Sequence, residues 1–137
     1  FCGTSMASPV VSGAVSLFMQ KHPANTGARP SPALVKAVFT AAAMDLVGNF
    51  DAHGIMLEHR PDRKQGWGRI DLDAVINPGN RLETVDQTKV FQATGESWTW
   101  TFTPEDPGAP MRIMLAWTDA PARAPAARTR PASTNWT

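Results

Sequence analysis

The chain has 137 residues, a formal net charge of +1 and 18% charged side chains, so it carries no field that would steer nucleic acid. No apolar run reaches the roughly 20 residues that a membrane-spanning helix needs, and the length is that of a single domain. The lone cysteine, Cys2, has no internal disulfide partner and no flanking histidine, which reads as a buried, inert thiol.

Gly3-Thr4-Ser5-Met6-Ala7-Ser8-Pro9 opens the chain and runs into the apolar stretch Val10 to Met19. A serine between a glycine turn and a helix start presents its hydroxyl outward, with its own backbone N–H beside it. The partial positive charge of the helix start favours an oxyanion developing there. Pro9 lacks an N–H and is tolerated only near a helix beginning, which puts Ser5 in or just before the first turn. Val11, Ala14, Val15, Phe18 and Met19 recur at helical spacing, and Ala7, Gly13 and Ala14 are small enough for close packing. The pattern predicts a largely buried helix. For Ser5 taken alone, a Thr or Ser capping a core helix is the favoured reading of the motif.

Lys21-His22-Pro23 marks the helix end, and Pro30-Ser31-Pro32 introduces a second helix over Ala33 to Ala43. Gly48 to Lys64 is polar and irregular. Its Asp51, His53, His59 and Asp62 match no metal-ligand spacing, so the stretch is expected to be a solvated loop with no metal site. In Gln65-Gly66-Trp67-Gly68-Arg69-Ile70-Asp71 two glycines allow a tight turn, and Asp71 is placed to cap a short helix from Leu72 to Ile76 before Pro78 stops it.

From Leu82 the texture changes. Ser97-Trp98-Thr99-Trp100-Thr101-Phe102 alternates aromatic with hydroxyl, and Met111 to Trp117 is a strand-length run with apolar odd positions. These runs predict strands of an antiparallel sheet, with Trp98, Trp100 and Phe102 meeting Ile113, Leu115 and Trp117 across a core. Ala122 to Pro131 is too poor in branched and aromatic residues to bury much, and is expected to be disordered or loosely held.

The heptapeptide at Gly3 to Pro9 resembles the nucleophile motif of the subtilisin-like serine proteases, the subtilases. The elements at Lys21 to Pro23, Pro30 to Ala43 and Gln65 to Asp71 are similar to the last third of the subtilase catalytic domain. Cys2 and Val10 depart from the common pattern, in which a small residue and a histidine are more usual. Leu115-Ala116-Trp117-Thr118-Asp119-Ala120-Pro121 looks like part of the C-terminal β-sandwich, of jelly-roll type, found in one branch of the family.

The resemblance implies an α/β fold: residues 1–80 as the C-terminal part of a three-layer αβα catalytic domain, 81–121 as the start of an antiparallel sandwich, and 122–137 as a tail. It implies a serine endopeptidase that acts on proteins or peptides through an acyl-enzyme on Ser5, which also supplies a backbone oxyanion donor. Gly3, Thr4 and Met6, its motif neighbours, are expected to line the substrate. The family's chain order is Asp, His, Ser, so the two partners are expected before Phe1, in a longer protein, and His22, His53 and His59 are not triad members. The resemblance also implies a secreted protein and no cofactor in this chain; calcium belongs to the family, but no ligand set transfers to these residues. Two rival readings are an inactive, protease-derived binding module and an α/β-hydrolase esterase, whose Ser, Asp, His order Asp51 and His59 could mimic.

Overall fold

The computed structural model describes residues 3–104 and 106–118. Among the described residues three helices carry the fold: α1, Thr4–Thr26, α2, Pro32–Ala42, and α3, Leu72–Ile76, followed by a single 3₁₀ turn at Gly79–Arg81. Helix α1 continues through both of its prolines, Pro9 and Pro23. Each removes one helical donor, and the carbonyls left without it belong to Ser5 and Met19, both exposed. The helix stops at Gly27, whose left-handed backbone (φ 76°) lets its N–H bond the Pro23 carbonyl at 2.8 Å.

The two shorter helices are defined by their caps. Ser31 Oγ accepts from the Leu34 N–H at 3.0 Å, and Pro32 supplies a helical φ in the first position. At the other end of α2, Arg60 donates to the carbonyls of Thr40 (3.3 Å) and Ala41 (3.4 Å), and the Arg112 guanidinium also donates to Ala41. Two cations thus meet carbonyls that a helix end leaves without partners. Asp71 Oδ1 accepts from the Ala74 N–H at 3.0 Å and starts α3.

Phe18 of α1, Leu34 and Val38 of α2 and Val75 of α3 form the buried core, with Phe39, Ile76 and Leu82 packed around it. Phe18 meets Phe39 edge-on, ring centroids 5.8 Å apart at 86°. The chain enters α3 through an antiparallel bridge in which Met44 and Arg69 exchange both backbone hydrogen bonds, at 2.7 and 2.9 Å. Gly68 sits against this bridge.

Three expectations need correction. Helix α1 is not largely buried: Ala14 and Phe18 are its buried residues, while Val10 is 62% and Leu17 50% exposed. Helical periodicity marks which side chains share a face, and covering that face takes a second layer. The sheet of a three-layer domain would be such a layer, yet the described residues contain only isolated bridges.

The same reasoning governs residues 82–118, where no strand forms among the described residues. The Trp98 and Trp100 rings stack at 6.5 Å and 9°, as same-face residues of an extended chain would, and Trp100 lies 5.4 Å from Phe102. Ile113, Leu115 and Trp117 are 66–78% exposed, so the two runs do not close on each other as a core. Alternation sets a face; it does not supply the neighbouring strand that a ladder requires. The alanine-, proline- and arginine-rich tail and Cys2 lie outside the described residues.

Candidate active site

Gly3 is the last residue before α1 and has φ 153° and ψ 165°, a conformation that residues with a Cβ rarely adopt. Its carbonyl accepts from both the Met6 and Ala7 N–H groups, at 3.0 and 3.1 Å, which seals the first turn. Thr4 and Ser5 are then the first and second helical residues, with no carbonyl behind them for their own N–H groups. Among the described residues neither the Ser5 N–H nor its Oγ has a hydrogen-bond partner, and the residue is exposed. An exposed serine, with no hydrogen-bond partner among the described residues, therefore sits at the positive end of a 23-residue helix. Thr4 is exposed beside them, and Met6 is 56% exposed.

None of the three histidines is brought to Ser5. His22 lies in α1 with its ring 5.1 Å from that of Phe18. His53 is exposed in a loop where its backbone N–H bonds Asp51 Oδ1 at 2.8 Å. His59 Nδ1 pairs with Asp45 Oδ2 at 2.9 Å. Asp51 pairs instead with Lys64, at 3.5 Å, so the Ser5, Asp51, His59 grouping of an α/β-hydrolase is not assembled.

The loop from Asp45 to Gly66 owes its shape to aspartates and one glutamine. Asp45 Oδ1 accepts from the Val47 N–H and from Gln65 Nε2, both at 3.0 Å, while Gln65 Oε1 accepts from the Leu46 N–H at 2.9 Å. Asp51 Oδ1 accepts from the His53 and Ile55 N–H groups, and Asp62 Oδ1 from those of Lys64 and Gln65. Two of the residues weighed as ligands, Asp51 and Asp62, thus each spend an oxygen on a turn. No group of three or more metal-ligating side chains converges among the described residues. Sequence reasoning misses Gln65 as a link between Asp45 and the Glu58 carbonyl, because nothing local marks a glutamine that bonds 20 residues back.

The hydrogen bond from His59 holds the Asp45 carboxyl down to about 2, assisted by Gln65 and the Val47 and Arg60 N–H groups and opposed by burial. A folded-state value below the ordinary aspartate value of 3.8 means that the stabilisation is fully present above about pH 5 and is lost as pH falls towards 2. Asp45→Asn should flatten that part of the acid stability profile. Urea midpoints measured from pH 6 down to pH 2 test this, and an unchanged slope in the variant would contradict it.

The family model described as the subtilase family matches residues 1–68. Over these residues the chain belongs to the subtilase family. The match takes in the Ser5 turn, α1, α2 and the aspartate-pinned loop, and ends at Gly68, before α3. Subtilases are serine peptidases with an α/β fold, and their substrates are proteins and peptides. No curated protein and no solved structure matches the chain. Among the described residues no helix is long and apolar enough to cross a membrane.

Proposed function

We propose that Ser5 is the nucleophile of a secreted subtilisin-type endopeptidase. Ser5 Oγ attacks a peptide carbonyl, the Ser5 N–H donates to the oxyanion that forms, and water hydrolyses the acyl-enzyme. The observation that carries this is the exposed Ser5 at the start of α1, whose hydroxyl and N–H have no partner among the described residues, behind a glycine in a conformation that residues with a Cβ rarely adopt. The base is a histidine oriented by an aspartate, both preceding Ser5 in the family's order, since His22, His53 and His59 are held elsewhere. Gly3, Thr4 and Met6 line the scissile bond.

Residues 1–80 are read as the C-terminal part of the catalytic domain, and 81–121 as the start of an antiparallel sandwich that forms no ladder among the described residues. The test is hydrolysis of casein by the whole protein, alongside a simple ester such as p-nitrophenyl acetate. Proteolysis is expected. Ester turnover without proteolysis favours an esterase, and neither activity favours a binding module; both outcomes contradict the proposal.

Exposure of Met6 has a consequence for the same site. Met6 follows the nucleophile directly in the chain and is open to oxidant, so peroxide should convert its thioether to a bulkier, polar sulfoxide and lower activity. Met6→Ala should retain activity under peroxide. Peptide mapping checks this: activity loss with Met6 unmodified would rule the explanation out.

A further inference from the structure

Residues 82–118 contact helix α2 at both of its ends, with opposite charges. At the N-terminal end, Asp86 Oδ2 accepts from the Ser31 N–H at 2.8 Å and Oδ1 from the Ser31 hydroxyl at 2.6 Å. Ser31 is only 6% exposed, and it spends its own oxygen on the Leu34 N–H. A carboxylate therefore completes the cap of α2 where the helix dipole is positive. At the C-terminal end, Arg112 donates to the Ala41 carbonyl, where the dipole is negative.

Among the described residues Arg112 has no carboxylate partner there. Arg60, which donates to the same carbonyl, is a like charge beside it, and burial together with that neighbour lowers the Arg60 value. The attraction at this end comes from helix carbonyls.

Between these anchors the chain is loosely held. Residues 87–101 are all exposed, whereas Leu82, before the first anchor, packs on the core. Gln87, directly after Asp86, has φ 52°, the one positive φ outside glycine among the described residues. A left-handed glutamine is strained and persists only where its surroundings enforce it. The turn it makes follows the Asp86 anchor immediately.

We propose that residues 82–118 form a strap clamped across α2 by charges matched to the two ends of its dipole, so that the downstream segment and the subtilase part of the chain are mechanically coupled through this helix. Release at either end should loosen both. This inference is independent of the peptidase reading.

The test is hydrogen exchange on the whole protein carrying Asp86→Asn, Arg112→Gln, or both. Asp86→Asn retains one acceptor, and helix content by circular dichroism verifies that each variant folds. Exchange should rise about tenfold throughout the α2 amides, including those at the end remote from the mutated anchor, for each single variant, the scale of one lost charge-assisted hydrogen bond. The double variant should be little worse than the more severe single one. Two independent caps would instead give effects confined to each variant's own end of α2, multiplying in the double, and that result overturns the strap. Should the double variant fail to fold, the spread of exchange in the two singles decides: confinement to the mutated end still overturns it.

Discussion

Ser5→Ala in the whole protein is expected to lower the rate of peptide hydrolysis on the order of a millionfold, leaving only what binding and oxyanion donors supply. Stability should not move with it. The Ser5 hydroxyl is exposed and has no hydrogen-bond partner among the described residues, so its removal costs the fold less than about 0.5 kcal/mol. Alanine is also the best helix former in the second position of α1. Parallel measurement of kcat for a peptide substrate and of the urea midpoint separates the two effects. Most of the activity surviving would remove Ser5 from the mechanism, and a large fall in midpoint would show that it is a structural cap.

Gly68→Ala should be the most damaging small substitution in the described residues. Gly68 has φ +101°, and a Cβ placed there would lie 2.3 Å from the Met44 carbonyl oxygen and 3.0 Å from its carbon. Those atoms cannot yield cheaply, because Met44 and Arg69 are bonded to each other through both backbone groups. Backbone strain and overpacking together give about 2–4 kcal/mol. Gly66 is the control: its φ is +58°, and a Cβ added there would meet no atom within 4 Å, leaving only the conformational cost of about 1 kcal/mol. Equal shifts in urea midpoint for Gly66→Ala and Gly68→Ala would show that the contact with Met44 is not what excludes a side chain.

Local signals in the sequence carry furthest. Ser31 before Pro32 and Asp71 before Leu72 each place a short acceptor three residues ahead of a backbone N–H, and both caps form as the spacing requires. Gly3 likewise marks the start of α1. The extent of that helix is less legible, because Pro9 and Pro23 read as boundaries while the real helix tolerates the two carbonyls they leave exposed. Burial is not legible where it depends on a second layer. Val11, Met19, Trp100 and Leu115 all sit at the positions that periodicity selects, and all are exposed among the described residues. The links between Asp45 and Gln65 and between Ser31 and Asp86 are also beyond reach, since each joins residues 20 or more positions apart through side chains that are common in any loop.

The central claim, that Ser5 is an activated nucleophile, is tested most directly by treating the whole protein with a serine-directed fluorophosphonate and locating the adduct by peptide mass spectrometry. The hydroxyl at the start of α1 should carry the phosphonyl group, in proportion to the activity lost, and labelling should disappear in Ser5→Ala. Complete inactivation with Ser5 unmodified, or equal labelling of exposed Ser8 or Ser12 on the same helix, would contradict the account.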